Sequence, residues 1–348
     1  MNAPPADGPA GTAPVGPGIV VAPTGAEVVV ALDVGGTGIK AALVSAADRT
    51  VRHTERRPTG ATRGPAAVID TIGEFADALA DTARADGLVP IGVGVVVPGV
   101  VDETTGVAVW SANVGFRDVP LRDLVAARTG LPTALGHDVR AGGIAEARIG
   151  AGQGCRHVLF VAVGTGIAAA AIVDGTGYPG AHGAAGELGH VVVRPAGPVC
   201  GCGQTGCLEA VASAAAVARR YAERTGTPGG DTAGAAAVAR RATSGDPVAA
   251  QVWAEAVDAL ADGLLIGQAM YDPAVVVLGG GLAEAGDQLL TPLAAAMRQR
   301  ATFHRVPRLV RAALGDEAGC LGAALLALDS VRRVPDTVRP ALGAGPAR

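Results

Sequence analysis

Three of the chain's five cysteines, Cys200, Cys202 and Cys207, sit in the stretch CGCGQTGCLE, which closes on Glu209. With His190 upstream they give the spacing H-x9-C-x-C-x4-C, enough soft ligands for one tetrahedral Cys3His zinc site. A redox pair would need C-x-x-C, which is absent, and clustered cysteines in a reducing compartment are more often metal ligands than disulfides. A closed site leaves no position for water, so the zinc is expected to be structural, pinning the loop that carries Glu187, His190 and Glu209. Cys155 and Cys320 are isolated and read as small buried apolar residues.

A second constellation surrounds Asp138 in GHDVRAG, where an apolar strand ends, the usual place for sites in α/β proteins. Two roles stay open for this aspartate. It can cap the helix suggested by VRAGGIAEAR, or it can take the proton of a hydroxyl that attacks a phosphoryl group. Phosphate chemistry is suggested by three glycine turns after apolar strands: DVGGTGIK from Asp33, VAVGTG from Val161 and LGGGLAEAGD from Leu278. Backbone N–H groups at Gly35, Gly36, Thr37 and Gly38, and again at Gly164, Thr165 and Gly166, can cradle phosphate oxygens, while Asp33 can hold a hydrated Mg²⁺. At Gly279, Gly280 and Gly281 the missing side chains would let a flat base approach the backbone. None of these turns is a Walker loop or a GxGxxG fingerprint.

The elements that must position these residues alternate strand and helix. EVVVALDVGGTGIKAALV and HVLFVAVGTGIAAAAIV are each two strands around a glycine turn, and the tetrapeptide GTGI recurs at Gly36 to Ile39 and Gly164 to Ile167, which suggests one unit used twice. Val68, Ile72, Phe75 and Leu79 recur at helical spacing, LRDLVAART closes at Gly130, and a long helix is expected from Asp246-Pro247 to Pro273. The length, 348 residues, exceeds what one core usually serves, so an α/β protein of two similar domains around a cleft is expected.

Composition narrows the function classes. Hydrophobic residues make up 49% and charged residues 17%; the net charge is −4, and Lys40 is the only lysine, so no basic surface for nucleic acid is expected. The run Val158 to Val173 is too short for a membrane span and is broken by Gly-Thr-Gly. The first residues carry no charged segment followed by an apolar core, so a cytoplasmic protein is expected.

DVGGT, the Glu-x-Gly-His element and CGCGQTGCLE together resemble the ROK family of bacterial sugar kinases, repressors and open reading frames, over about Glu27 to Asp329. The resemblance implies two ribonuclease H-like domains of the actin/hexokinase type: a lobe over 27–138 joined by a helix near 318–332, a larger zinc-bearing lobe over 139–317, and flexible tails over 1–26 and 333–348. It implies an ATP- and Mg²⁺-dependent hexose kinase, glucokinase-like, with phosphate loops at Asp33 to Gly38 and Val163 to Ile167 and adenosine near Gly279 to Gly281. Asp138 falls at the family's catalytic base for the sugar 6-hydroxyl. Asn113, Glu187, His190 and Glu209 match its sugar ligands, with His190 using different ring nitrogens for zinc and sugar. Assembly as a homodimer or homotetramer is implied as well.

One departure stands out. Family kinases mostly carry Asn-Asp-Ala at the catalytic aspartate, the Asn touching sugar, whereas this chain has His137-Asp138-Val139. An imidazole differs from a carboxamide in bulk and in donor geometry, so the sugar hydroxyl facing His137 is expected to be read differently. Glucose is the expected substrate, with N-acetylmannosamine, N-acetylglucosamine, fructose, mannose and allose as alternatives. The family's repressors carry a winged helix-turn-helix ahead of DVGGT; the 32 residues before Asp33 have no pattern for it, so a DNA-binding role is not expected.

Overall fold

The computed structural model of the chain describes residues 25–226 and 234–333; the tails expected over 1–26 and 333–348 lie almost wholly outside the described residues. β1 (Glu27–Val34), β2 (Gly38–Ser45) and β3 (Val51–Pro58) run antiparallel in succession. α1 (Pro65–Ala85) crosses to β4 (Val89–Val97), which pairs parallel with β1. A small antiparallel sheet of β5 (Val100–Asp102), β6 (Val107–Ser111) and β7 (Phe116–Val119) follows. α2 (Leu121–Thr129), closed by left-handed Gly130, returns the chain to β8 (Thr133–His137), parallel to β4.

After α3 (Asp138–Ile149) the pattern begins again with β9 (His157–Val163), β10 (Ile167–Val173) and β11 (Thr176–Gly177). The crossover here is larger: α4 (Leu208–Ala212), α5 (Ala214–Thr225), α6 (Gly234–Thr243) and α7 (Pro247–Tyr271) precede β12 (Val275–Gly279). α7 starts as the sequence suggested, with Asp246 accepting from the N–H groups of Val248 and Ala249. α8 (Asp287–Arg300), β13 (Arg308–Arg311) and α9 (Ala318–Arg333) complete the fold.

The two large sheets have the same topology. Their orders are β3-β2-β1-β4-β8 and β11-β10-β9-β12-β13, and each pairs antiparallel, antiparallel, parallel, parallel along that order. Both GTGI copies lie at the turn of the first hairpin of their sheet, so the repeated tetrapeptide marks a repeated unit.

Strand alternation sorts the core into layers. Val28, Val30, Leu32 and Val34 of β1 pack with Val68, Ile72, Phe75 and Leu79 of α1, the helix face expected from the sequence. Val29 and Ala31 turn the other way, into a central layer where α3 and α9 lie between the sheets, and Asp33 follows them by parity. Beyond the second sheet, Leu159 and Val161 of β9 meet α4 and α7. The central layer is thin because small residues face each other. Gly94 of β4 lies under Ala323 of α9, and a Cβ on Gly322 would sit 2.2 Å from the carbonyl oxygen of Ala141 in α3. Such contact leaves no room for a side chain.

Replacing Gly322 with Val should therefore force α3 and α9 apart. A loss of about 2–3 kcal/mol in urea unfolding is expected, whereas Gly281→Val, at a position with open space around it, should cost far less.

Candidate active site

The three glycine turns are fixed by the ends of β1, β9 and β12. In the first, Gly35 N–H donates to the Gly38 carbonyl at 2.9 Å, and buried Thr59 braces it: its hydroxyl donates to the Gly35 carbonyl at 2.6 Å and its N–H to the Thr37 carbonyl at 3.1 Å. Sequence reasoning missed Thr59, which lies in no recognisable motif. In the second, Gly164 N–H donates to the Gly166 carbonyl at 2.9 Å, and Thr165 is exposed. The third abuts the second, since Leu282 N–H donates to the Val163 carbonyl at 3.0 Å.

The third turn is held by close packing. Gly279 is needed against the Phe160 ring and Gly280, at φ 81°, against the Val163 backbone, so two of the three glycines answer to the protein's own packing. Gly281 alone opens outward, into a cavity of about 220 Å³ whose walls include Ala235, Ala239, Trp253, Leu282 and Gln288.

Asp33 is delivered to the α9 side of its sheet, and the start of α9 receives it: a Cβ on Gly319 would lie 2.3 Å from its Oδ2. Motif reading passed over Gly319. Burial lifts the Asp33 carboxyl to about 6 against the opposing pull of Lys40, and Asp138 and Asp316 add to the lift. Lys40 Nζ stands 3.9 Å from Asp33 and pairs closely with Asp316, which also holds Arg56.

Asp138 opens α3, but it is not the cap. His137 is: its Nδ1 accepts from the Arg140 N–H at 3.3 Å, while Asp138 Oδ1 accepts from the Val139 N–H at 2.7 Å. An imidazole can cap because a neutral ring has one bare nitrogen. Burial raises the Asp138 carboxyl, with the hydrogen bonds from Val139 N–H and its own N–H opposing. His137, 8% exposed, is pushed down to about 4 by burial and by Arg140, against the pull of Glu187 and Glu103. Beneath it lies the Arg140 guanidinium, 2% exposed, whose Nε donates to Glu103 Oε1 at 2.8 Å; the same oxygen accepts from the His137 N–H at 3.3 Å. Glu103 lies in no motif, and nothing in GHDVRAG distinguishes Arg140, so sequence reasoning had no signal for this pair.

The expected sugar ligands come from three places. Asn113, in the β6–β7 turn, lies against Gly36. Glu187 stands with its Oε2 3.7 Å from His190 Nε2. Glu209, in the first turn of α4, accepts from the Ile167 N–H at 2.9 Å, so one of its oxygens is committed to the second glycine turn.

His190, Cys200, Cys202 and Cys207 converge, their ligand atoms all within 4.8 Å of one another. His190 Nδ1 is 3.6 Å from Cys200 Sγ, and Cys202 Sγ is 3.6 Å from Cys207 Sγ. Zinc bonds of about 2.3 Å to sulfur and 2.0–2.1 Å to nitrogen in a tetrahedron require separations near 3.6–3.8 Å, so this donor set fits the ion. Burial and the neighbouring thiols hold Cys207 up at about 12, the position of a ligand that needs a cation to ionise. Cys320 is buried, as expected, and Cys155 only partly.

The ROK family's sequence pattern matches residues 29–330. The chain belongs to the ROK family. It is 31% identical over 327 residues to the glucokinase of Streptomyces coelicolor, covering 89% of this chain and 98% of that one. It is 34% identical over 300 residues to the N-acetylmannosamine kinase of Salmonella typhimurium, covering 85% and 97%. Among solved structures, a ROK family glucokinase from Streptomyces griseus in complex with glucose and AMPPNP superposes with a TM-score of 0.72 at 30% identity, covering 87% of this chain and 99% of that one. The actin/hexokinase-type α/β fold implied by the motifs is therefore the fold of this ROK protein. Among the described residues no helix is long and apolar enough to cross a membrane.

Asp33 pays an electrostatic penalty that predicts a pH dependence. Its folded value of about 6 exceeds the ordinary aspartate value near 4, so ionisation destabilises the fold fully above pH 6, and the cost fades as pH falls from 6 to 4. Asp33→Asn should stabilise the ligand-free protein by about 1–3 kcal/mol at pH 8 and by nothing below about pH 4, as read from unfolding at the two pH values.

Proposed function

We propose that this ROK protein is an ATP-dependent hexose kinase that phosphorylates the 6-hydroxyl of glucose. The observation that carries the reading is the meeting of Asp138, at the end of a parallel strand, with Asp33 and its glycine turn, close enough for the two carboxylates to feel each other. A base and a phosphate cradle so joined suit in-line phosphoryl transfer.

In the proposed reaction Asp138 accepts the proton of the sugar 6-hydroxyl as that oxygen bonds to the γ-phosphorus. The bond from γ-phosphorus to the β–γ bridging oxygen breaks, and ADP leaves. A buried carboxyl with a raised pKa is a stronger base than a solvated one, and its N–H donors favour its ionised form. The N–H groups of Gly35 and Gly164 are committed within their own turns, so the proposed phosphate donors are other backbone N–H groups of the two turns, and the cavity at Gly281 is assigned to the nucleoside. Asp33 fits a hydrated Mg²⁺, whose charge would neutralise the transferring phosphoryl group when bound. Asn113, Glu187, His190 and the free oxygen of Glu209 are the proposed sugar contacts. Support for His190 in both roles is that Nδ1 faces the sulfurs while Nε2 faces Glu187.

Zinc is proposed at His190, Cys200, Cys202 and Cys207 as a structural ion. The reach of Glu209 from this loop to the Ile167 N–H supports a link from metal centre to phosphate turn. The lobes proposed are 27–138 with 318–332, and 139–317. A cytoplasmic location and a homodimer or homotetramer belong to the same reading; Met270 and Phe303, 70% and 84% exposed, are available to an interface. The relative named for N-acetylmannosamine favours that sugar as the second reading.

Asp138→Ala should fold and bind sugar, with kcat reduced at least about 10²- to 10⁴-fold; substantial turnover in a coupled ADP assay would contradict the base assignment. Cys202→Ser should lose stoichiometric zinc by elemental analysis and weaken sugar binding, and unchanged sugar affinity would contradict the scaffold role.

A further inference from the structure

The departure from the family pattern at His137 has a geometric consequence. His137 Nδ1 accepts the Arg140 N–H at 3.3 Å and so carries no proton. The neutral ring's one proton is then on Nε2, and Nε2 stands 3.3 Å from Asp138 Oδ1. A small rotation of either side chain closes that separation to a hydrogen bond, as catalytic pairs commonly do when substrate arrives.

We infer that His137 is a positioning residue for the proposed base, donating its Nε2–H to Asp138 Oδ1 while its Nδ1 caps α3. The inference rests on the kinase reading above and deepens it. One ring joins the helix start to the carboxylate, so Asp138 cannot rotate freely, and its second oxygen is left for the sugar hydroxyl. Burial keeps the imidazole neutral, which preserves the cap, because protonating Nδ1 would remove the acceptor. The groups facing this pair are Arg140 and Glu103 from below, Glu187 from the loop that leads to His190, and Asp33, itself beside Lys40, from β1.

His137→Ser separates the two functions. A serine oxygen can still accept the Arg140 N–H, serine being a good N-cap, but it ends short of the Asp138 carboxylate. Without the Nε2–H donor, burial acts on Asp138 unopposed from that side, and its ionised form loses stability. The acidic limb of the kcat/KM profile with glucose and ATP should then move to higher pH by about one unit, with little change in the sugar KM. An unmoved limb together with a tenfold or larger rise in sugar KM would overturn the inference, because it would mean that His137 contacts sugar instead.

Nitrogen-15 NMR of the intact protein labelled at its six histidines tests the same point without turnover. One resonance set, assigned by its absence from His137→Ser, should show the Nε2-protonated neutral tautomer at pH 7. An Nδ1-protonated or cationic ring there would also overturn the inference. Should Asp138→Ala keep its turnover, the base assignment fails, while the tautomer still reports whether His137 is set to donate toward Asp138.

Discussion

The constraint on which the site depends is the crossing of α3 and α9, where Gly322 meets the Ala141 carbonyl with no space for a side chain. Both helices begin about one turn before that crossing, α3 at Asp138 and α9 beside Asp33. Fixing the crossing therefore fixes the two carboxylates relative to one another, although they come from different strands. The same helices share the layer between the two sheets, so the packing that joins the duplicated units also assembles their chemistry. Alternation along β1 and β4 makes this possible by reserving one face for α9 and its small contacts.

Electrostatics runs against this packing. Asp33 and Asp138 are both raised by burial, and Asp138 adds to the lift on Asp33. The protein offsets the cost locally: Lys40 stands by Asp33, and N–H donors and His137 surround Asp138. A site that holds unfavourable negative charge before its ligands arrive is suited to receive cations and acidic protons.

Much of this was legible in the sequence. The convergence of His190 with Cys200, Cys202 and Cys207, the glycine turns at strand ends, the face of α1 and the repeated GTGI unit all depend on residue type and local periodicity, and each appears where expected. What was not legible depends on contacts between distant segments. Glu103 matters because β5 brings it under Arg140, and Gly319 because α9 returns, nearly three hundred residues later, to the end of β1. The cap of α3 was misplaced by one residue, from His137 to Asp138, because propensity favours aspartate and a histidine cap emerges only when its ring is buried neutral. Glu209 shows a third kind of gap: its motif suggested sugar, and the fold also ties it to the second glycine turn.

The most direct measurement is phosphorus NMR of the purified protein with Mg²⁺ and ATP, followed with and without glucose. The account predicts glucose 6-phosphate and ADP in equal amounts when sugar is present, and little loss of ATP when it is not. Release of inorganic phosphate regardless of sugar, or unchanged ATP in the presence of glucose and each of the other candidate hexoses and N-acetylhexosamines, would contradict it.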